Sequence, residues 1–388
     1  MQSRNTSVDK VSHELVRKYT AQPLKFAYYE HFVATPPMRQ SRRASMANRI
    51  LTALIIIASL VLLFYRSSLT FSQEDKACIQ DEWHENSSVE STLDFGSTYR
   101  ISFADVQNNY TWLYVPKIRT EEKTEILMIV ISNCDNFARR NVLRKTWMSS
   151  GNSKIVAGGT MKALFLVGSI KGNERLNEVV MDEARLFGDV IVADTEDDYV
   201  GLPFKTITAL LFALRFPSVQ LIGKIDEDVL FFPDQLTTLF HDGTINTNTS
   251  MLYGYAYEAG VTVNHGEDGG KWSVPMSSFK CTVYPSYLGG PLYFATKKAA
   301  ERIVKATKHR KFISVEDVFI TGLLAGDVGV HKKHLPCIYN VAAATNDRET
   351  SEILGWHTNK NNEKYTEAFK TMRYTRCSAC SPKNATIS

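Results

Sequence analysis

Residues 221–232 read LIGKIDEDVLFF, in which two apolar runs flank three consecutive acids, Asp226, Glu227 and Asp228. The first run predicts a buried β-strand that ends at the acids. Buried carboxylates are costly unless a cation balances them, and Lys224 can neutralise only one of the three. Carboxylates at the carboxyl end of a strand suit Mn²⁺ or Mg²⁺ that also holds phosphate. A solvated acidic turn is the alternative, and this stretch alone leaves both open.

Further apolar runs alternate with amphipathic segments along the rest of the chain. Strands are predicted by the runs at residues 126–131, 163–167, 190–193 and 292–295. Helices are predicted by the periodic segments at residues 205–216, 297–308 and 316–324. The alternation predicts an α/β fold whose mostly parallel sheet carries helices on both faces.

Composition limits the classes of function. A chain of 388 residues with 44% hydrophobic residues fits one large globular domain with appendages. The formal net charge is +4, and much of it lies in the first fifty residues. The rest of the chain has no basic stripe with interleaved aromatic residues, so we expect no nucleic-acid partner.

The amino-terminal part predicts a membrane anchor. Residues 1–49 are polar and basic, which is typical of a disordered cytosolic tail. Residues 50–65, ILTALIIIASLVLLFY, carry no charge and span roughly 24 Å as a helix. A buried core helix and a cleaved signal peptide are alternatives, although no small-residue cleavage site follows. The basic tail predicts a single-pass type II signal anchor with the remainder lumenal, in the early secretory pathway.

The lumenal part divides into three segments. Residues 66–123 are polar and predict a stem, residues 124–380 form the predicted folded domain, and residues 381–388 are a tail. N-glycosylation is predicted at four sequons, headed by Asn86, Asn109, Asn248 and Asn384. The six cysteines favour disulfides of undetermined pairing. Cys377 and Cys380 form one CxxC without a second pair or histidines at zinc-finger spacing, so we expect no zinc site.

Two charged motifs flank the acidic triplet in sequence. Residues 139–147, RRNVLRKTW, predict a helix that places Arg140 and Arg144 on one face. A nucleoside diphosphate between them would turn their repulsion into binding, whereas a solvated basic face is the alternative. Glu316 and Asp317 begin a predicted helix, where simple capping or a general base for a hydroxyl explains them equally well.

A further segment combines aromatic residues and glycines. Residues 284–293, YPSYLGGPLY, predict a turn before a strand. Aromatic faces and close backbone approach are typical of a sugar site, and a packed loop is the alternative.

Together these segments resemble the β-1,3-glycosyltransferase family of Golgi galactosyl- and N-acetylglucosaminyltransferases, over roughly residues 125–377. Residues 140–147 are similar to the motif R-x-A-I-R-x-T-W, residues 165–168 to F-L-x-G, and residues 183–205 to a segment that begins E-x-x-x-Y-G-D-I. Residues 226–228 resemble D-D-D, residues 271–274 K-W-x-V, residues 284–293 Y-P-x-Y-x-x-G-x-G-Y, and residues 316–318 E-D-V.

The resemblance implies a Rossmann-like nucleotide-sugar transferase in the Golgi membrane. Such an enzyme would use a UDP-sugar and Mn²⁺ or Mg²⁺, and would move galactose or an N-acetylhexosamine with inversion. The acceptor would be a glycan hydroxyl on a lipid or protein, linked β-1,3. A catalytically inactive, lectin-like membrane protein of the same fold is the alternative.

The resemblance also implies roles for individual residues. Asp317 would be the general base, with Glu316 as the second choice, and Asp228 and His357 would bind the metal ion. Donor binding would fall to Arg140, Arg144, Lys205, Asp226 and Glu227. The acceptor or sugar site would include Trp272, Tyr287 and Gly290. Glu227 stands in place of a central Asp, and Leu288 and Leu292 in place of Cys and Gly.

Overall fold

The computed structural model describes residues 49, 51–57, 59, 71–84, 91–93, 97–117, 124–340, 352–358 and 361–380. The chain divides into two compact units, Met1–Phe64 and Tyr65–Ser388. In the first unit, residues 51–57 are helical. Within the described residues, no helix has the length and apolar character needed to cross a membrane. The predicted span at residues 50–65 lies partly outside them, and of the predicted tail at residues 1–49 only residue 49 lies within them.

The second unit contains a sheet of ten strands in the order β1-β2-β3-β6-β5-β4-β7-β10-β9-β11. The strands are β1 (Thr92–Leu93), β2 (Thr98–Ser102), β3 (Gln107–Tyr114), β4 (Ile126–Ile131), β5 (Met161–Ser169), β6 (Val190–Glu196), β7 (Leu221–Asp226), β9 (Met251–Tyr257), β10 (Tyr287–Thr296) and β11 (His331–His334). A second sheet, of order β12-β13-β8, contains β8 (Val229–Phe231), β12 (Ile338–Tyr339) and β13 (Gly355–His357).

The large sheet is mixed, which corrects the prediction of a mostly parallel one. Strands β6, β5, β4 and β7 are parallel neighbours. On either side of them, β3 pairs with β6 and β10 pairs with β7 in antiparallel fashion. The α/β class is confirmed. The parallel centre of the sheet contains the strands whose sequences are continuous apolar runs. Strands that are covered on both faces need apolar residues at every position, whereas edge strands do not.

Strand β4 shows how the core is built. Its residues alternate between two hydrophobic clusters, with Leu127 and Ile129 in one and Met128 and Val130 in the other. Side chains of a strand point to opposite faces in turn, so each cluster lies on one face of the sheet. The run ILMIVI is therefore buried on both faces.

Helices cover both faces. They are α1 (Gln73–Asp81), α2 (Phe137–Lys145), α3 (Lys154–Ala157), α4 (Glu174–Phe187), α5 (Leu202–Leu214), α6 (Gln235–His241), α7 (Lys297–Ala306), α8 (Ala325–Asp327) and α9 (Asn362–Met372). Short 3₁₀ segments occur at Glu267–Trp272, Thr307–His309 and Ser378–Cys380. Helices α5 and α7 pack in the cluster that contains Leu127, whereas α2, α4 and α9 pack in the cluster that contains Met128.

The helix predicted at residues 316–324 is a π-helix, Val318–Leu324. The hydroxyl of Thr321 donates to the carbonyl of Asp317 at 2.6 Å and accepts from the amide of Leu288 at 2.8 Å. A side chain that takes a helix carbonyl competes with the backbone ladder, which favours the wider turn. Thr321 thereby joins the start of this helix to β10.

Much of the predicted stem belongs to the folded unit. Strand β3 pairs with β6 of the central sheet, and Tyr99, Ile101 and Trp112 lie in the hydrophobic core. The prediction of a polar stem arose because β3, although it pairs with both β2 and β6, has several exposed positions. Of the predicted glycosylation sites, Asn109 is exposed on β3 and Asn248 is exposed after α6. Asn86 and Asn384 lie outside the described residues.

Two disulfides are formed, Cys78–Cys281 and Cys377–Cys380. The first ties α1 to a segment 203 residues further along the chain, whereas the second closes the CxxC. Cys134 and Cys337 are free thiols. Burial, helped by the Asp197 carboxylate, raises the pKa of Cys134 to about 12, so this thiol stays protonated.

We expect the two disulfides to differ in their effect on stability. In the chain-entropy model, the long loop closed by Cys78–Cys281 contributes on the order of 3 kcal/mol more than the short CxxC loop. The double variant C78S/C281S should therefore lose about 2–5 kcal/mol of unfolding free energy, and C377S/C380S much less. Denaturant unfolding of both variants measures the two losses in unfolding free energy. Equal losses would contradict the prediction that the long loop contributes more than the CxxC loop.

Candidate active site

The chain reverses its order in the sheet between β4 and β7. Strands β5 and β6 lie on one side of β4, and β7 lies on the other. Ligands of open α/β sheets bind at such a switch point, outside the carboxyl ends of the strands. A cavity of about 660 Å³ opens there, lined by residues that follow β4, such as Asn133 and Asn136, and by Asp226, Glu227 and Asp228. The predicted position of the acids at a strand end is confirmed.

The three acids have three different partners. Asp226 accepts a hydrogen bond from the Lys224 ammonium at 2.6 Å. Glu227 accepts from the Ser132 hydroxyl at 2.5 Å and from the Asn136 amide at 2.6 Å. Lys224 therefore neutralises Asp226, while Glu227 joins the turn after β7 to the turn after β4.

Asp228 is paired with His357. The antiparallel pairing of β8 with β13 places His357 opposite Val229, so its ring lies beside the preceding residue. The His357 Nε2 and Asp228 Oδ2 atoms are 3.1 Å apart, and His357 Nδ1 is 3.1 Å from the Asn340 carbonyl. The hydrogen bond to Asp228 raises the pKa of His357 above its usual range.

This pair fits one side of a metal site. The Oδ1 atom of Asp228 is buried and has no hydrogen-bond partner within the described part of the chain. An Nδ1–H donated to a backbone carbonyl leaves Nε2 as the ligating atom. Within the same part of the chain, no group of three or more His, Cys, Asp or Glu side chains could hold a metal. Two protein ligands suit Mg²⁺ or Mn²⁺, which keep waters and take substrate phosphates.

Glu316 and Asp317 lie together at the start of the π-helix. The Asp317 carboxylate accepts two hydrogen bonds, one from the amide of Val318 in its own helix at 2.9 Å and one from the amide of Gly290 at 3.0 Å. Glu316 accepts from the Tyr293 hydroxyl at 2.7 Å and is only 3% exposed. Burial raises the pKa of both carboxyls. Asp317 is half-buried, so it is the one of the two that a substrate can reach.

Lys224 joins the acidic triplet to this pair. Its fully buried ammonium donates to Asp226 and, at 2.7 Å, to the carbonyl of Gly290, and lies 3.6 Å from Glu316. Burial alone would lower the pKa of Lys224, but the Asp226 and Glu316 carboxylates raise it. Gly290 is shared between Lys224 and Asp317, so one backbone position connects the two halves of the site.

The arginine pair has internal partners. Arg140 is fully buried and forks onto Glu183, with its closest contact at 2.6 Å. Arg144 contacts Glu183 at 2.8 Å and Asp189 at 2.7 Å. The anion between the two guanidiniums is thus a carboxylate of the chain, which corrects the expectation of a diphosphate at that position. The helix itself is observed, as α2.

The other predicted donor residue, Lys205, lines the cavity. Its ammonium is buried and donates to the Asp197 carboxylate at 2.5 Å and to the Ser132 carbonyl at 3.0 Å. Asp197 also accepts from the amide of Cys134. Lys205 therefore holds the turn after β4 in place at the cavity wall.

The predicted acceptor residues lie on different elements. Trp272 is 58% exposed at the end of a 3₁₀ segment. Tyr287 begins β10 and stacks on Tyr257 with ring centroids 5.0 Å apart. Next to Gly290, a Cβ at Gly289 would lie 1.7 Å from the Asn340 amide nitrogen, so a side chain at this position would displace the Asn340 side chain.

Several residues of the site escaped the sequence reasoning. Three of them lie between β5 and α5, namely Glu183, Asp197 and Tyr199. The sequence of that segment resembles the family but indicates no individual site residue. Tyr199 lines the cavity, and burial followed by the charge of Asp317 raises its pKa to about 12. The run of acids at residues 196–198 was an available signal. The partner of Arg140 was not readable, because Glu183 is 43 residues away.

Comparisons with known proteins show the family of this chain. The galactosyltransferase family model matches residues 138–336. The β-1,3-galactosyltransferase bre-2 of Caenorhabditis elegans is 60% identical over 347 residues, which cover 88% of this chain and 96% of that protein. The chain belongs to the galactosyltransferase family. The predicted resemblance is confirmed: this galactosyltransferase-family chain is an enzyme of the glycosyltransferase class, and the family uses a nucleotide-sugar donor.

More distant relatives cover less of the galactosyltransferase-family chain. β-1,3-Galactosyltransferase 1 of Homo sapiens is 28% identical over 215 residues, 55% of this chain and 64% of that protein. A crystal structure of the galactosyltransferase LgtC with donor and acceptor sugar analogs covers 63% of this chain and 95% of that chain, at 12% identity and a TM-score of 0.34. That score is too low to add to the fold description. The comparisons give no support to the lectin-like alternative.

We expect the loss of Lys224 to destabilise this galactosyltransferase-family member. The variant K224M leaves Asp226 and Glu316 without their buried cation, which should cost about 3–5 kcal/mol of unfolding free energy. Adding E316Q removes one of the stranded charges, so the double variant K224M/E316Q should recover part of the loss. Denaturant unfolding of the single and double variants measures the difference. A K224M protein as stable as wild type would show that Lys224 does not balance these acids.

Proposed function

We propose that this chain transfers galactose from UDP-galactose to a glycan hydroxyl in β-1,3 linkage, with inversion. The name of the relative that is 60% identical supports the sugar and the linkage. The observation that carries the proposal is the Lys224 bridge, which holds the strand-end acids and Asp317 in one site. An N-acetylhexosamine as the transferred sugar is the alternative.

The donor's nucleotide fits the cavity at the switch point. Its volume of about 660 Å³ is in the range of ligand pockets, and the turns after β4 and β7 line it. Asp228 and His357 would hold Mn²⁺ or Mg²⁺ at the diphosphate, and Asp226 lies next to them in the triplet. When bound, the ion supplies positive charge that stabilises the departing diphosphate.

Asp317 is the proposed general base. Its half-buried carboxylate receives the proton of the acceptor hydroxyl as that oxygen attacks the anomeric carbon on the face opposite UDP. The amide of Gly290 holds the carboxylate in place, and Lys224 fixes the carbonyl of the same residue. Glu316 is bound to Tyr293 and Lys224, which leaves it a positioning role.

We further propose that the catalytic unit is lumenal and is anchored in the Golgi membrane as a type II protein. The two disulfides suit an oxidising compartment. The exposed sequons at Asn109 and Asn248 are accessible positions for N-glycans. The acceptor glycan is carried by a lipid or a protein.

The proposed reaction is tested by incubating the lumenal part with each UDP-sugar over a glycan panel. We expect UDP release with UDP-galactose, an acceptor and Mn²⁺, and a β-1,3-linked product by linkage analysis. Because two protein ligands alone hold an ion loosely, EDTA should abolish turnover and added Mn²⁺ should restore it. Transfer of N-acetylhexosamine alone would favour the alternative sugar, and turnover unaffected by EDTA would exclude the metal.

The base assignment is tested by D317N, with E316Q as the matched control. We expect D317N to lower kcat by about 10²- to 10⁴-fold and to leave UDP binding unchanged. Burial raises the pKa of Asp317 above its ordinary 3.8. As the pH decreases through this raised pKa, the Asp317 carboxylate takes up a proton and can no longer act as the base, so kcat/KM should fall. That acidic limb should be absent in D317N and present in E316Q. Wild-type turnover of D317N would refute the assignment.

A further inference from the structure

The wall of the nucleotide cavity is rich in acids. Its acidic residues are Asp135, Asp197, Asp198, Asp226, Glu227 and Asp228. Its basic residues are Arg139, Lys205 and Lys271. A diphosphate that approaches this wall meets negative charge of its own sign, and the like-charge repulsion has to be offset by cations in the cavity.

Two of the three basic residues are buried, and one of these two, Lys205, is ion-paired. Lys205 is 2% exposed and is ion-paired with Asp197. Arg139 is 8% exposed, and its guanidinium lies 4.8 Å from the centroid of the Tyr365 ring. Lys271 differs from both, because it is exposed on the rim of the cavity.

Aromatic rings hold the Lys271 ammonium at this rim. Its Nζ atom lies 4.9 Å from the ring centroid of Tyr199 and 4.9 Å from that of Trp272. Tyr199 is itself a lining residue of the cavity. Contacts with ring faces place a cation without using its N–H groups in strong hydrogen bonds. Among the described side chains, no carboxylate forms an ion pair with Lys271, so its donors can serve an incoming anion.

The segment that carries Lys271 is held in place on its carboxyl-terminal side, at Val274. Val274 is fully buried, and its amide donates to the carbonyl of Asn264 at 2.8 Å. Between them, the His265 ring contacts the carbonyl of Val274 at 2.8 Å. Gly270 has φ 54°, a left-handed conformation that favours glycine, and it turns the chain directly before Lys271. Lys271 is thus presented to the cavity from a fixed support.

We propose that Lys271 binds the diphosphate of the sugar nucleotide and remains with it as it departs. The ammonium supplies the cationic contact that Arg140 and Arg144 cannot give, since Glu183 and Asp189 occupy them. Tyr199 and Trp272 position the ammonium. This assignment rests on the proposed function, in that the donor is a nucleoside diphosphate sugar.

The test compares K271M and K271R with K305M, which changes an exposed lysine on α7 outside the cavity. Calorimetry with Mn²⁺ present measures the affinity of the whole lumenal part for UDP, UMP and uridine. A charge-assisted contact predicts that K271M weakens UDP binding about tenfold, weakens UMP binding less and leaves uridine binding unchanged. K271R should stay within a few-fold of wild type, and K305M should match wild type. Thermal melting checks that all variants fold.

Two results would overturn the assignment. One is wild-type affinity of K271M for UDP, and the other is an equal loss for uridine and UDP, which would mean that the substitution only disturbs the segment. The proposed function fails separately if wild type binds UDP but transfers no sugar, and the binding series then still supports Lys271. Absence of UDP binding by wild type would overturn both.

Discussion

The buried ammonium of Lys224 is the interaction on which the site depends. It lies in the middle of β7, where it is 2% exposed, and it reaches Asp226 on its own strand and Gly290 on β10. An ammonium in the interior is costly unless it is paired, and here carboxylates on two sides raise its pKa. Because the Gly290 amide also donates to Asp317, the proposed base, we expect a change at Lys224 to act on Asp226 and on Asp317 together.

The sheet order explains why these groups meet. The switch point between β4 and β7 leaves a gap at the carboxyl ends of two neighbouring strands, and the turns that follow them line it. The antiparallel return of β10 beside β7 then brings Gly290 and the start of the π-helix to the same edge. The parallel part supplies the cavity that we propose for the nucleotide, and the antiparallel part supplies the proposed base, so in this proposal the mixed sheet combines a donor side with an acceptor side.

The sequence predicted the parts of the fold that local pattern controls. The apolar run of β4 agrees with the structure at both ends, and the acids after β7 lie at the predicted strand end. Pairings between distant segments were not predictable in this way. Glu183 has no local signal that assigns it to Arg140, and the exposed positions of β3 hid its place beside β6. The π-helix occurs where the Thr321 hydroxyl donates to the Asp317 carbonyl, a hydrogen bond that residue spacing alone does not reveal.

Glu227 shows how a departure from the family pattern is accommodated. The longer side chain points away from Asp226 and Asp228 and reaches Ser132 and Asn136, which follow β4. Those hydrogen bonds lower the pKa of Glu227, although burial outweighs them and raises it. Ser132 also accepts a hydrogen bond from Arg140 at 2.9 Å, so the arginine that resembled a phosphate ligand instead supports the wall of the cavity through Glu227. Because Arg140 and Arg144 of α2 are paired with Glu183 and Asp189, positive charge for the proposed diphosphate has to come from other groups, which face the cavity.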